Sequence, residues 1–290
     1  MRFDWRPVRH RLEHRLFLAA GRLFRGLGLD RASAFSGAVW RAAAPRSKRH
    51  RRALNHLALA FPDMDAPRRE AIVRAMWENL GRTFAEAFFL PEIAGSARIT
   101  FENVDAFDEW RAWPGGKVAC AAHLANWELT IAPATLSGLR PWSIYKRLRN
   151  PLVDRDVHAL RRHLYTGGLV PKEAGVPRQF LRVIRDGGTV GLLTDLRDGA
   201  GALVPFFGRP AHTTTFPALL ALSAGSPILV SCMRRVSGVS FVQSYALVRM
   251  PDSGDRKADL ITVTADVQAV FERFIRRWPE QWMWAHKRWG

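Results

Sequence analysis

A chain of 290 residues with 48% hydrophobic residues can bury a full core and is too apolar for the disordered class. Its 44 Lys and Arg against 26 Asp and Glu leave a net charge of +18, which predicts an anionic partner without choosing among nucleic acid, an acidic membrane leaflet and an acidic carrier protein. The length fits one mixed domain with a helical appendage, not two large domains.

The first ninety-odd residues read as helices. From Val8 to Leu27 the side chains of Val8, Leu12, Leu16, Ala20, Leu23, Phe24 and Leu27 share one face of a helical wheel, and Arg11, Arg15, Arg22 and Arg25 share the other. Such a helix either packs on its own domain or lies in a membrane interface with its arginines near anionic head groups. The basic run Arg46 to Arg52 follows. The N-terminus has no uninterrupted apolar core and no small-residue cleavage site, so no secretory signal is expected. Asp65 to Leu90 forms a second long amphipathic helix, with Ile72, Met76, Leu80, Phe84 and Phe88 on its apolar stripe, and Gly95-Ser96-Ala97 breaks the pattern.

From Arg98 onwards short apolar strands alternate with helices. Strands are predicted at 98–102, 118–122, 142–145, 189–194, 228–233, 240–247 and 260–264, and helices at 126–137, 152–165, 177–186, 216–224 and 266–277. The fold class is therefore α/β, a mixed and largely buried sheet flanked by helices, with an N-terminal helical region over 1–95 and an α/β domain over 96–290. The uncharged stretch Phe216 to Met233 is broken by Pro217 and Gly225-Ser226-Pro227, so it reads as a buried helix and strand instead of a membrane span. Cys120 and Cys232 sit in apolar runs and read as buried, reduced thiols.

The chemistry concentrates in His123-Leu124-Ala125-Asn126-Trp127-Glu128. His123 falls at the C-terminal end of a predicted strand and Glu128 in the following helix, with Asn126 as a candidate N-cap. Residues five apart on one α-helix point about 140° apart, but at a strand-to-helix junction they can converge. That edge of an open α/β sheet is where ligands usually bind. A histidine ordinarily titrates near neutral pH and suits the removal of a proton from a hydroxyl nucleophile. A carboxylate on its other ring nitrogen fixes the tautomer and stabilises the imidazolium. The bland alternatives are a satisfied turn histidine and an acidic residue favoured by a helix start. No Gly-x-Ser-x-Gly elbow is present, so an acyl-enzyme on serine is not supported.

The same hexapeptide resembles the His-x4-Asp/Glu motif of the glycerolipid and lysophospholipid acyltransferase superfamily, and its Asn-Trp-Glu ending is similar to the branch of late lipid A (lauroyl and myristoyl) acyltransferases. Further blocks resemble that branch in order: Asn55 to Pro62, Tyr145-Lys146 with Asn150-Pro151, Gly191 to Asp195, Pro205-Phe206-Phe207-Gly208, and Pro279 to Trp284 with His286 to Trp289. The resemblance covers roughly residues 45 to 290. It implies acyl transfer from a thioester, with acyl carrier protein as donor, to a hydroxyl of a glycolipid such as a lipid A precursor, at the cytoplasmic face of the inner membrane, with no cofactor and no metal.

It further implies that these blocks line an acyl-acceptor groove beside a catalytic His123 and Glu128; with the chemistry of neighbouring side chains this makes Asn126, Lys146, Arg149, Asn150, Arg178, Asp195, Phe207, Gly208, Thr213 and Thr214 the candidate substrate-binding residues. Lys146, Arg149 and Arg178 either hold phosphates or are solvated charges. Phe206 to Gly208 form a lipid-facing wall or a core cluster, and Thr213 and Thr214 donate to substrate or cap a helix. Trp282, Trp284 and Trp289 with Lys287 and Arg288 form an interfacial belt or close the core. The chain departs from the family in having Leu196-Arg197 where Gln usually follows the aspartate. Its N-terminal segment is also less hydrophobic than the family's usual anchor, which favours peripheral attachment.

Three rivals remain open at this point. A nucleic-acid-binding protein would suit the charge, but no helix-turn-helix, zinc or RNA-recognition signature appears, so no nucleic acid partner is expected. A thioesterase would use the same pair with water as acceptor. Within the superfamily, a phosphatidylinositol mannoside or a lysophospholipid could replace lipid A as acceptor.

Overall fold

The computed structural model describes residues 5–289. Five helices come first: α1 (Arg6–Leu27), α2 (Leu29–Ala43), α3 (Lys48–Ala60), α4 (Ala66–Glu86) and α5 (Leu90–Ala94). Pro67 in the first turn of α4, and Asp65, whose carboxylate accepts from the Arg68 amide at 2.7 Å, fix where that helix starts. Gly81 lets α2 and α4 touch. A β-carbon there would lie 2.6 Å from the Ser36 carbonyl and 2.7 Å from the Trp40 side chain. This close crossing seats α4 against the sheet, and Leu57, Val73, Met76 and Trp77 join the core formed by the central strands.

The remaining elements are β1 (Ile99–Glu102), α6 (Val104–Ala112), β2 (Lys117–Ala121), α7 (Ala132–Leu136), β3 (Pro141–Tyr145), α8 (Pro151–Arg161), β4 (Gly168–Pro171), α9 (Val176–Arg185), β5 (Thr189–Leu193), β6 (Ala202–Phe206), β7 (Arg209–Thr213), α10 (Phe216–Ala224), β8 (Ile228–Ser237), β9 (Ser240–Val248) and α11 (Arg256–Arg277). Seven strands form one sheet in the order β1-β9-β8-β2-β5-β3-β4. From β8 to β4 they run parallel, while β9 turns back antiparallel to β8 and β1 follows it. β2 lies at the centre and every one of its residues is buried, as a parallel strand covered on both faces should be.

The α/β reading holds, with one element reversed. Residues 260–264 are helical, inside α11, although Leu260-Ile261-Thr262-Val263-Thr264 has the β-branched content of a strand. The Asp255 carboxylate accepts from the Lys257 and Ala258 amides at 2.9 and 3.1 Å and starts the helix upstream, and Val263, Val267, Val270 and Phe271 then fall on its buried face. The β6–β7 hairpin and β4 were not predicted as strands. Residues 216–233 divide into α10 and β8, and no helix among the described residues is long and apolar enough to cross a membrane.

Candidate active site

The centre of the site follows from strand register. β2 and β5 are parallel neighbours with Ala121 opposite Leu193. His123 and Asp195 each lie two residues further on, so the two chains leave the sheet side by side. His123 Nδ1 is 2.8 Å from Asp195 Oδ1, and the His123 amide donates to Asp195 Oδ2 at 2.9 Å. The indole N–H of Trp282 donates to the same Oδ2 at 2.7 Å. Asp195 is fully buried. Burial alone would push its carboxyl group up, but the His123 charge, the two hydrogen bonds from His123 and that from Trp282 hold it below its ordinary value of 3.8. An ionised carboxylate accepts at Nδ1–H and leaves Nε2 of His123 as the free base.

Glu128 is placed differently from the expectation that its carboxylate would take the second ring nitrogen of His123. It is paired with Arg161 of α8, Arg161 NH2 donating to Glu128 Oε1, and the indole N–H of Trp127 donates to the same oxygen at 3.1 Å. The carboxylate hydrogen-bonded to His123 is that of Asp195. The reason is local: after β2 the chain makes a 3-10 turn over Trp127–Ile131, not a regular helix, and this turn directs Glu128 towards α8. The Trp127 ring touches both groups, its indole N–H on Glu128 and its centroid 5.0 Å from that of His123.

The candidate substrate-binding residues separate into two sets. Asn126 is fully buried, makes no cap, and donates from Nδ2 to Glu86 Oε2 at 2.9 Å. Asn150 caps α8 through the Leu152 and Val153 amides and reaches α1 with its Nδ2. Thr213 is buried and accepts from Arg288 at 2.8 Å, while Thr214 Oγ1 accepts from the Phe216 amide at 3.4 Å at the start of α10. Phe207 is in the core, with Gly208 at φ 68° completing the tight turn between β6 and β7. These residues, like Asp195, are engaged by the protein itself. Lys146, Arg149 and Arg178 are exposed. Arg149 borders a groove of about 490 Å³ whose apolar lining is Leu16, Phe17, Ala20, Phe84, Leu148 and Val153.

The C-terminal aromatic block closes the core. Trp282 and Trp284 are buried, with ring centroids 4.6 Å apart, and Leu124 pairs with Trp282 in an antiparallel bridge. Arg288 is also fully buried, donates to the His212 carbonyl, Thr213 Oγ1 and Gln268 Oε1, and sits 4.7 Å over the Phe206 ring. Desolvation pushes Arg288 down to about 10, opposed by the Asp195 charge. Both cysteines are buried and free, and burial raises both thiols, Cys120 to about 12, so neither supplies a thiolate nucleophile.

On α1 the apolar residues divide. Gly21 and Phe24 are buried and Phe17, Ala20 and Leu27 pack beside them, whereas Val8, Leu12, Leu16 and Leu23 remain 47%, 59%, 63% and 49% exposed. Arg11, Arg15 and Arg22 are exposed alongside that outward stripe.

The family model for bacterial lipid A biosynthesis acyltransferases matches residues 6–290. The chain is 24% identical over 247 residues to a lipid A biosynthesis palmitoleoyltransferase of Escherichia coli strain K12, a match covering 81% of this chain and 77% of the relative. A lipid A biosynthesis acyltransferase of Shigella flexneri matches at the same identity and coverage.

Proposed function

The chain belongs to the bacterial lipid A biosynthesis acyltransferase family, and from that premise we propose that His123, held by Asp195, is the general base that activates a lipid hydroxyl for acyl transfer. The observation that carries the proposal is the pairing of His123 Nδ1 with the buried Asp195 carboxylate at 2.8 Å. Nε2 takes the proton of the acceptor hydroxyl as its oxygen attacks the thioester carbonyl. Asp195 stabilises the imidazolium, which returns the proton to the departing thiolate. No covalent acyl-enzyme is needed. Glu128 enters through its neighbours: it fixes the Trp127 ring beside His123 and pairs with Arg161 of α8.

The acceptor in this reading is a lipid A precursor and the donor an acyl-carrier-protein thioester. The net charge of +18 suits an acidic carrier, and the exposed Lys146, Arg149 and Arg178 suit glycolipid phosphates. The outward leucines of α1, with Arg11, Arg15 and Arg22 beside them, suit shallow burial at an anionic membrane surface, peripheral and on the cytoplasmic side. Incubation with a panel of acyl-carrier-protein and coenzyme A thioesters and with lipid A precursor, lysophospholipid and phosphatidylinositol mannoside, read by mass spectrometry, tests the assignment. Acylated lipid A precursor formed from the carrier-protein thioester is the expected product. Free fatty acid as the only product would replace it with a thioesterase, and transfer confined to another lipid would overturn the acceptor.

A further inference from the structure

The loop that presents His123 is held in an unfavourable shape. Ala125 has φ 48°, in the left-handed region where a β-carbon is disfavoured, so the surrounding contacts must offset that strain. Those contacts come from one ridge of α4. Thr83 Oγ1 donates to the Ala125 carbonyl at 3.0 Å, and Asn79 Nδ2 lies 3.4 Å from the same oxygen. One turn on, Glu86 Oε2 accepts from Asn126 Nδ2 at 2.9 Å. Asn79, Thr83 and Glu86 are spaced four and three apart, so they share a helix face, and all three are buried.

The ridge is itself anchored. The Arg235 guanidinium of β8 pairs with both oxygens of Glu86, and its Nε donates to Asn79 Oδ1 at 3.0 Å. From the other side the Ala125 amide donates to the Gln281 carbonyl at 3.0 Å, and the Met283 amide donates to the His123 carbonyl at 3.2 Å. A fully buried carboxylate spent on one arginine could be no more than a tie between helix and sheet. Here it also takes a hydrogen from the residue after the strained alanine, three positions from His123.

We propose that Asn79, Thr83 and Glu86, with Arg235, are positioning residues for the transfer reaction: they hold the Ala125–Asn126 kink and thereby set His123 against Asp195. The proposal rests on the reading of His123 as the base. It predicts that loss of the ridge's hydrogen bonds misplaces the base without disturbing the surface that binds lipid. A tie between helix and sheet predicts only loss of stability.

The test uses the full chain with an acyl-carrier-protein thioester and a lipid A precursor, comparing Thr83→Val, which keeps shape and removes the hydroxyl, with Thr83→Ser, which keeps the hydroxyl. Thr83→Val is expected to lower kcat about 10- to 100-fold with KM for the acceptor nearly unchanged, and Thr83→Ser to recover most of the loss. Glu86→Leu combined with Arg235→Met removes both charges of the pair together, which a fold tolerates better than loss of one alone, and provides the same kcat-against-KM comparison if Thr83→Val does not fold. Parental kcat in folded Thr83→Val, or in the folded double variant, would overturn the proposal, as would Thr83→Ser failing to recover. His123→Ala separates the two layers: if it is inactive while Thr83→Val turns over like the parent, only the positioning proposal fails, and if His123→Ala is active the base assignment fails.

Discussion

His123 Nδ1 lies 2.8 Å from Asp195 Oδ1, although the two residues are 72 positions apart in the chain. Neighbouring parallel strands bring them together, and Trp282, near the C-terminus, supplies a further hydrogen bond to the aspartate. Three distant sequence blocks thus converge on one carboxylate.

Asp195→Asn should separate orientation from charge. The amide keeps the size and offers Nδ1 either a donor or an acceptor, but it cannot stabilise the imidazolium. Turnover is expected to fall by about 10²- to 10⁴-fold while acceptor KM stays close to the parent. Steady-state kinetics beside a thermal melt decide it. Unimpaired turnover in a folded Asp195→Asn protein would remove the carboxylate from the mechanism.

The Glu128–Arg161 pair calls for a double-mutant cycle. If Glu128 acts through Arg161, then Glu128→Gln, Arg161→Met and the combined variant should not be additive in kcat, the double change being no worse than the more damaging single one. In stability the same cycle should show a coupling of about 0.5–3 kcal/mol. Independent, additive losses would mean that the two residues act separately.

Much of this arrangement was legible in the sequence, and the part that was not has a physical cause. The alternation of apolar strands with helices identified the α/β class, and the position of His123 at a strand end followed from Lys117 to Ala122. The strand-to-helix junction and the His-x4-Glu resemblance point to Glu128 as orienter, and neither registers that β5 is the neighbour of β2. A signal for Asp195 was nonetheless present: Thr189 to Leu193 is a second apolar strand, with an aspartate as far beyond its end as His123 is beyond β2. Arg161 and the Glu86–Arg235 pair gave no sign, since isolated charges in helices and strand ends ordinarily face water. At 260–264 residue preference pointed to a strand, and the Asp255 cap and the buried face of α11 prevailed.

Stability should fall on mild acidification through His56. Its ring is buried, with Nδ1 3.1 Å from the Trp284 carbonyl. Desolvation by burial holds it below the ordinary 6.5, against the hydrogen bond to Trp284. The unfolded chain therefore takes up the proton first. The contribution of the neutral ring is fully present above about pH 6.5 and is lost as pH falls through the lower folded value. Thermal midpoints measured between pH 7.5 and about 5 should decline, and His56→Asn should flatten the decline. An unchanged slope in the variant would show that the limb belongs to other groups.

Membrane attachment can be tested without disturbing the fold. Phe24 packs edge-on against Phe88 at 5.7 Å, so deletion of α1 would expose core. Leu12 and Leu16 are 59% and 63% exposed, so Leu12→Glu with Leu16→Glu should leave the thermal midpoint unchanged. Burying one leucine is worth about 1.5–3 kcal/mol, so binding to anionic liposomes should weaken at least about tenfold. Equal co-sedimentation of parent and variant would exclude this face as the docking surface.

The most direct measurement is the rate of acyl transfer from an acyl-carrier-protein thioester to a lipid A precursor by His123→Ala, followed by mass spectrometry and paired with a melt to confirm folding. A base at Nε2 supported by Asp195 predicts a folded variant whose turnover is lower by about two to four orders of magnitude. Turnover near that of the parent in the same folded protein would contradict the assignment of His123 as the base.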